Sequence, residues 1–202
     1  MTIQIRRLSD VQELHYIISL GNIESVLKNG ILSYSRSSKI EHTSIADNDV
    51  RERRLRKFVP NGRNLGEYVN LYFNARNPMM YRLKPDINRL CILIISADII
   101  QKEDCVLTDG NAACDYVRFL NYNEASNKLN FEYIYIKYWN DNDPIKKAKK
   151  TFEIMAEVLV ADCVHNDYII GAYVPNNRSL DVLKQTGFNK EIVINPNLFF
   201  EA

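Results

Sequence analysis

The chain has 202 residues, of which 46% are hydrophobic and 25% are charged, as expected for a globular protein with a full hydrophobic core. The net charge of +1 excludes a strongly charged surface overall, so any polyanion must be bound by local basic patches. Four cysteines and three histidines show no metal-ligand spacing, so we expect no metal site and interpret the cysteines as reduced thiols.

The first ten residues are polar, which is not typical of a signal peptide, and no apolar run approaches the ~20 residues of a membrane helix. We therefore expect a cytoplasmic protein without a membrane segment. Residues 1–202 show no repeat, linker or low-complexity tract, which favours a single domain.

The chain opens with a predicted strand–turn–helix unit. Leu14–Leu20 is apolar and indicates a strand, Gly21 and Asn22 indicate a turn, and Asn22 is a candidate N-cap for a helix over Ile23–Asn29. Backbone N–H groups at such a helix start can bind phosphate. The alternative interpretation is a packed structural unit without a ligand, and the residues alone favour it.

A basic stretch follows at Val50–Lys57, where five cationic side chains stand against the single acid Glu52. One interpretation is the solvated face of a helix. The other is an anion-binding segment for a pyrophosphate or a nucleic acid.

The segment Tyr68–Asn74 predicts a strand with two different faces. Val69, Leu71 and Phe73 point one way, and the polar-aromatic side chains Tyr68, Asn70 and Tyr72 point the other. The second face suits the stacking of a planar ring, although an ordinary half-exposed face has the same pattern. A short helix is predicted from Pro78, and the continuous apolar run Leu90–Ser96 predicts a central strand.

The second half of the chain alternates short strands and helices, which indicates the α+β class. Strands are predicted at Cys105–Thr108, Tyr168–Val174 and Glu191–Ile194, helical segments at Phe131–Trp139, Lys146–Lys150 and Leu180–Thr186 with Ser179 as N-cap, and a turn at Asp109–Ala113.

The apolar run Thr151–Asp162 predicts a buried strand that contains one carboxylate, Glu157. A lone ionisable group there is costly unless it is paired or functional. From the residues alone, Glu157 can be either a catalytic glutamate or a structural acid that is paired with a cation.

Five collinear segments resemble the DarT-type toxins, which are DNA ADP-ribosyltransferases of bacterial toxin–antitoxin systems. The similarity runs from His15 to the end of the chain. Its segments are LHYIISLGNIESVLKNGIL, SIADNDVRERR, EYVNLYFNARNPMMY, VLTDGNAACDYVRF and KKTFEIMAEVLV.

The resemblance implies an ADP-ribosyltransferase fold, which is a split, mostly antiparallel β-sandwich flanked by helices with NAD in the cleft. It implies NAD as co-substrate without a metal, and single-stranded DNA as acceptor, whose modification blocks replication. It also implies a DarG-type macrodomain antitoxin that removes the modification.

The resemblance also assigns roles to individual residues. Glu157 matches the catalytic glutamate and Arg54 the essential arginine, with Arg51 and Arg53 as neighbours if the register slips. NAD contacts are implied for His15, Tyr16, Ile17, Gly21, Asn22, Arg54, Tyr72 and Phe73. DNA contacts are expected at Arg76, Met79, Asn111, Tyr116 and Arg118.

Two departures from the family pattern bear on specificity. Some members carry a histidine where this chain has Tyr16, so either His15 or Tyr16 is expected at the NAD ribose. The segment NLYFNARNPMM differs from the thymine-modifying pattern and favours guanine as the target base. Transfer to RNA or protein, NAD hydrolysis and a non-catalytic nucleic-acid-binding module are the alternative functions.

Overall fold

The computed structural model describes residues 5–102 and 104–201. The strands are β1 Glu13–Ser19, β2 Ile31–Leu32, β3 Tyr68–Tyr72, β4 Leu90–Ser96, β5 Cys105–Thr108, β6 Phe119–Leu120, β7 Glu157–Ala161, β8 Cys163–Val164, β9 Ile169–Val174 and β10 Glu191–Ile194. The α-helices are α1 Ile23–Asn29, α2 Tyr34–Ser37, α3 Asn48–Leu55, α4 Pro78–Arg82, α5 Tyr122–Lys128, α6 Phe131–Ile134, α7 Pro144–Glu153 and α8 Asn177–Gln185. Short 3-10 helices cover Leu8–Asp10, Leu20–Asn22, Leu65–Glu67, Lys84–Arg89, Ala97–Gln101, Asn166–Tyr168 and Pro196–Phe199.

The large sheet has the strand order β10-β9-β4-β1-β3-β7-β5-β6. Its strand pairs are antiparallel except β10 with β9, which are parallel. β2 and β8 form a separate antiparallel pair. The predicted α+β class is therefore confirmed, with a mostly antiparallel sheet. None of the helices in the described ranges is long and apolar enough to cross a membrane.

The large sheet is nearly divided between β1 and β3. β1 pairs with β4 along its whole length, and β3 pairs with β7 along its whole length. Between β1 and β3, the described residues pair at one position, His15 with Tyr72. The two strands diverge beyond this pair, so the sheet consists of two half-sheets joined at one point. We call the His15–Tyr72 pair and its side-chain contacts the seam.

The His15 side chain connects the two half-sheets at the seam. Its Nδ1 lies 3.1 Å from the Phe73 carbonyl oxygen, and its Nε2 lies 3.1 Å from Oε1 of Glu13. Both partners are acceptors, so both hydrogen bonds form when the ring carries two N–H groups. The Tyr173 hydroxyl donates to the same Glu13 oxygen at 3.0 Å. The hydrogen bond from His15 lowers the pKa of the Glu13 carboxyl, against the opposing effect of burial.

The core lies on both sides of the sheet, as the alternation in β3 predicts. Val69, Leu71 and Phe73 pack into the larger cluster of buried residues, whereas Tyr72 packs with Ile17 in a second cluster. β4 is buried along six of its seven residues, which confirms the predicted central strand.

Two predicted elements are wrong at their boundaries. The predicted helix Phe131–Trp139 ends at Ile134, because side chains rather than helical N–H groups bind the carbonyls that follow. Asn74 donates to the Ile134 carbonyl, and Arg76 donates to the Lys137 carbonyl. In the predicted strand Thr151–Asp162, residues 151–153 instead complete α7, because an apolar run alone does not separate a buried helix end from a strand.

One predicted helix cap is wrong, and another is confirmed in position but makes no side-chain bond to its helix. α8 begins at Asn177, because Asn176 accepts the Ser179 N–H and acts as the cap, while the Ser179 hydroxyl donates to the Asn88 carbonyl. α1 has the predicted bounds, but the Asn22 side chain makes no capping hydrogen bond. It binds Thr43 instead, as described below.

Candidate active site

A cleft of about 390 Å³ occupies the gap between the two half-sheets. Tyr16, Ile17 and Ile18 of β1 line it on one side, and the segment 68–70 of β3 lines it on the other. In a continuous antiparallel sheet these residues would pair with each other. Because consecutive residues of each strand face the cleft, the strand edges form its walls and present backbone N–H and C=O groups to it.

Glu157 lies at the start of β7 and is fully buried at the inner wall of this cleft. Its Oε2 accepts a hydrogen bond from Nη1 of Arg54 at 2.9 Å, and its Oε1 accepts one from the Ala112 backbone N–H at 3.3 Å. Its own backbone N–H donates to the Thr108 hydroxyl at 3.1 Å. The two side-chain hydrogen bonds fix the carboxylate in one orientation and compensate for its burial.

Arg54 reaches the cleft from α3, and its side chain is 14% exposed. Nη1 binds Glu157, whereas the buried Nη2 has no hydrogen-bond partner among the described residues. A buried guanidinium nitrogen without a partner is costly, and an anionic ligand in the cleft would satisfy it. Of the three arginines considered in the sequence, Arg54 is therefore the one that contacts Glu157. Arg51 also lines the cleft, with its guanidinium 5.6 Å from the Tyr34 ring centroid.

Two tyrosines bring aromatic rings next to this ion pair. Tyr72 pairs with Glu157 in the register of β3 and β7, and its hydroxyl lies 3.3 Å from the Met79 sulfur. Burial, and then the charge of Glu157, raises the pKa of the Tyr72 hydroxyl. Burial raises the pKa of Tyr16 to about 12, against the opposing effect of Arg54. Both rings line the cleft as neutral phenols at neutral pH.

The structure does not bring every predicted NAD contact to the cleft. Phe73 is fully buried in the larger core, with its ring edge-on to Phe131 at 6.3 Å. His15 lies at the seam rather than in the cleft, and Gly21 is exposed and does not line the cleft. Ile17, Tyr16 and Asn22 do line the cleft. Between His15 and Tyr16, the structure therefore places Tyr16 at the cleft.

A loop over residues 39–47, which we call the cover loop, closes one side of the cleft. His42, Thr43 and Ile45 are among its cleft-lining residues. Asn22 holds the loop by two hydrogen bonds of 2.8 Å, one to the Thr43 carbonyl and one from the Thr43 N–H.

Arg82 holds the other end of the cover loop. It donates to Asp47 at 2.6 Å and to the Ile45 carbonyl at 3.3 Å. The sequence predicts a polar loop over Ser33–Asp49, but sequence reasoning missed that residues 39–47 line the cleft and that Arg82 binds them, because no local pattern indicates contacts between segments so far apart in the chain.

A second loop, residues 109–118, contacts Glu157, and we call it the acceptor loop. Ala112 contributes the N–H to Glu157, and Asn111 lines the cleft. Gly110 allows the Phe152 ring to pack directly on the loop backbone, where a β-carbon would collide with the ring. Tyr116 is 69% exposed and packs on Phe152 with ring centroids 4.7 Å apart.

Two cationic side chains hold the acceptor loop in place. Arg118 donates to Asp109 at 2.6 Å across the base of the loop. Lys57, just after α3, donates to the Cys114 carbonyl. The loop is therefore stabilised by one internal ion pair and by one hydrogen bond from the segment that follows α3, the helix that carries Arg54.

Arg76 and Met79, which the sequence assigned to DNA, have other contacts in the structure. The Arg76 guanidinium donates to the carbonyls of Asn197 and Lys137 at 3.0 and 2.7 Å. Met79 lines the cleft below Tyr72. Among the described residues, no group of three or more His, Cys, Asp or Glu side chains is placed to hold a metal ion.

Comparison with known proteins identifies the relatives of this chain. A family model described as "ssDNA thymidine ADP-ribosyltransferase, DarT" matches residues 15–200. A "DNA ADP-ribosyl transferase-DNA ADP-ribosyl glycohydrolase fusion protein" of Thermosipho africanus is 34% identical over 94% of this chain, and the match covers 50% of the fusion protein. A DNA ADP-ribosyl transferase of Thermus sp. is 28% identical over 68% of this chain and 71% of the relative.

Solved structures agree with these matches. Thermosipho africanus DarTG in complex with ADP-ribose superimposes with a TM-score of 0.83 at 31% identity, over 94% of this chain and 51% of that one. Thermus sp. 2.9 DarT in complex with ADP-ribosylated ssDNA gives a TM-score of 0.81 at 25% identity, over 95% and 97% of the two chains. The predicted ADP-ribosyltransferase fold is confirmed. This chain spans half the length of the Thermosipho protein, and it belongs to the DarT family.

Proposed function

We propose that residues 1–202 form the catalytic domain of a toxin that transfers ADP-ribose from NAD to a nucleobase of single-stranded DNA. The observation that carries the proposal is the Arg54–Glu157 pair, joined at 2.9 Å on the wall of a cleft between two half-sheets. The family match and the relatives' names support the same activity.

Arg54 is suited to hold NAD and the catalytic carboxylate at the same time. Its Nη1 is used by Glu157, and its buried Nη2 remains to donate to a pyrophosphate oxygen. A guanidinium can make two such directed bonds in one plane, whereas an ammonium group acts as a point charge. The cleft edges of β1 and β3 offer backbone groups to an amide such as that of nicotinamide, and Tyr72 offers a ring for stacking.

Glu157 is suited to both halves of the reaction. As the bond between ribose C1′ and nicotinamide breaks, positive charge develops on the ribose, and a fixed carboxylate stabilises it. A bond then forms between C1′ and a nitrogen of the acceptor base, which loses a proton. Glu157 can accept that proton, and nicotinamide leaves with the electron pair of the broken bond.

The acceptor loop is placed to present the base. It contacts Glu157 directly through Ala112, and it carries exposed Tyr116 and Arg118 on its outer side. An exposed aromatic ring beside a cation suits an unpaired base and its phosphate. The target base itself is a separate question. The segment NLYFNARNPMM favours guanine, and the description of the family model names thymidine.

A macrodomain antitoxin of the DarG type is the proposed partner. The supporting observation is that the Thermosipho relative is a fusion with a DNA ADP-ribosyl glycohydrolase, an activity that would reverse the transfer.

The test is incubation of the protein with labelled NAD and, separately, single-stranded DNA, duplex DNA, RNA or a protein extract. We expect label on single-stranded DNA, and mass spectrometry of a short oligonucleotide then identifies the modified base. Label on protein or RNA alone would contradict the DNA assignment. Free ADP-ribose in every reaction, without labelled acceptor, would indicate an NAD hydrolase instead.

A further inference from the structure

A group of aromatic side chains lies beside the cleft, on the outer side of α4. It consists of Tyr81, Tyr138, Trp139 and Phe200, and we call it the aromatic platform. Tyr81 is 56% exposed and Tyr138 is 64% exposed, and a contiguous group of exposed aromatic side chains marks a candidate interaction site.

Three rings of the aromatic platform, those of Tyr81, Trp139 and Phe200, are fixed by mutual edge-on contacts, and the Arg76 guanidinium connects Tyr138 to Phe200. Tyr81 meets Phe200 at 5.2 Å and 81°, and it meets Trp139 at 6.0 Å and 86°. Trp139 and Phe200 meet at 5.7 Å and 88°. Such contacts hold Tyr81 by its neighbours while it remains more than half exposed, and ordered rings lose little conformational entropy when a planar ligand stacks on them.

Cations alternate with these rings. The Arg76 guanidinium lies 4.0 Å from the Phe200 ring centroid and 5.8 Å from that of Tyr138. Lys137 lies 5.3 Å from Tyr138, and Lys84 lies 6.0 Å from Tyr81. Both lysines are exposed, so their charges are available to an anionic ligand.

The aromatic platform is continuous with the catalytic cleft. Pro78, Met79 and Arg82 of α4 line the cleft, while Tyr81 of the same helix is part of the platform. Trp139 and Phe200 pack against the same cluster of buried residues that contains Tyr72. A polymer with one unit in the cleft can therefore extend over α4 onto the platform.

We infer that the aromatic platform binds nucleotides of the single-stranded DNA that flank the target base. The inference rests on the proposed function and extends its acceptor site beyond the acceptor loop. Alternating rings and cations match the alternating bases and phosphates of a single strand, because bases stack on the rings and phosphates pair with the lysines. Base stacking of this kind is tolerant of sequence, so the platform contributes affinity more than base selection.

The test compares two double variants, Tyr81→Ala with Tyr138→Ala and Tyr81→Phe with Tyr138→Phe. Binding of labelled single-stranded oligonucleotides of about 4 and about 15 nucleotides is measured by fluorescence anisotropy. We expect the alanine variant to bind the longer oligonucleotide at least about tenfold more weakly, because stacking contributes this much per base. The phenylalanine variant keeps both rings and should bind as the parent does.

Three controls separate the platform from the cleft. Tyr122→Ala removes a partly exposed ring on α5 and should change nothing. Binding of the short oligonucleotide and calorimetric binding of NAD should be unchanged in the alanine variant, and thermal melting reports whether it folds.

If the folded alanine variant binds the longer oligonucleotide like the parent, the platform inference is wrong and the proposed function stands. If the parent neither binds nor modifies single-stranded DNA, the proposed function itself fails.

Discussion

At the scale of single residues, the site depends on how Glu157 is held. Its carboxylate is fully buried, and it is stabilised by one guanidinium and one backbone N–H. A second, partly buried carboxyl lies on α7 at Glu153, whose Oε2 has no partner among the described residues. Burial raises the pKa of Glu153, and it does not line the cleft. Substituting each of the two acids therefore shows whether a loss of activity comes from the role of Glu157 in the cleft or from the removal of any buried carboxylate.

Glu157→Gln should abolish measurable transfer while the protein stays folded. The amide keeps the shape of the side chain and can still accept a hydrogen bond, but it can neither stabilise positive charge on the ribose nor take a proton. We expect the transfer rate to fall at least about 10²-fold. The measurement is label transfer to an oligonucleotide at saturating NAD.

Glu153→Gln is the matched control. Because its carboxyl is partly buried and one oxygen lacks a partner, the neutral amide should leave activity unchanged and stability equal or slightly higher. Equal activity of Glu157→Gln and Glu153→Gln would remove Glu157 from the mechanism.

Arg54→Lys should raise KM for NAD and lower kcat. Lysine keeps the charge, but its ammonium group cannot bind Glu157 and a phosphate oxygen in one planar arrangement. Hydrogen bonds between charged groups contribute about 1.5–3 kcal/mol, so we expect KM to rise at least about tenfold. Initial-rate kinetics against NAD concentration provide the measurement. Arg53→Lys, one position away and exposed, should retain parental kinetics.

At the scale of elements, the cover loop supplies several cleft-lining residues, and the acceptor loop supplies Asn111 and the N–H that binds Glu157. The cover loop is held at Thr43 by Asn22 and at Asp47 by Arg82. The acceptor loop is held by Lys57 and by its internal Arg118–Asp109 bond. Each loop is held by at least one side chain from outside it, namely Asn22 and Arg82 for the cover loop and Lys57 for the acceptor loop. A substitution at one of these positions can therefore alter the shape of the cleft while Glu157 and Arg54 stay unchanged.

Asn22→Ala should release the cover loop without unfolding the protein. It removes two surface hydrogen bonds, each of which contributes about 0.5–1.5 kcal/mol. We expect a several-fold rise in KM for NAD and faster proteolytic cleavage within residues 39–47. Asn29→Ala, at the other end of α1, removes bonds only to Ser25 and is the control. Unchanged proteolysis of the Asn22 variant would mean that the two hydrogen bonds between Asn22 and Thr43 do not order the cover loop.

The sequence identified Glu157, Arg54 and Tyr72 as one group because each lies within a segment that resembles the family. His15 and Phe73, which were predicted as NAD contacts, do not line the cleft, because neighbouring residues of a strand point to opposite faces and the split of the sheet is not visible in a linear pattern. The roles of Asn22 and Arg82 depend on the path of the cover loop. The cap of α8 was misassigned because Asn176 and Ser179 are both good cap residues.

At the scale of the whole molecule, the two half-sheets meet at the seam between β1 and β3. His15, Glu13 and Tyr173 form a hydrogen-bonded group there, and the buried Tyr135 hydroxyl near Glu13 has no partner among the described residues. The seam therefore contains titratable groups at the point where the cleft begins to open.

The Glu13 carboxyl should contribute to stability in a pH-dependent way. Its pKa in the folded protein is below the ordinary value of 4.5, so its contribution is present above that pH. The contribution is lost as the pH falls from about 4.5 through the lower folded value. Urea unfolding between about pH 7 and about pH 3 should show a weaker acid dependence for Glu13→Gln than for the parent.

Glu24→Gln, which changes an acid on the exposed side of α1, is the control for this experiment and should follow the parent. An unchanged acid dependence of Glu13→Gln would show that the seam is not stabilised by this carboxylate.

The hydrogen bond from Ala112 to Glu157 bears on how new specificities can arise. The donor is a backbone N–H, so it does not depend on which side chains the acceptor loop carries. If the loop presents the base as proposed, substitutions at exposed positions such as Tyr116 should change what it recognises while the carboxylate keeps its orientation. Under the proposed function, we therefore expect recognition and chemistry to be separable by mutation, and exchange of exposed loop side chains between relatives should alter the base preference without loss of transfer.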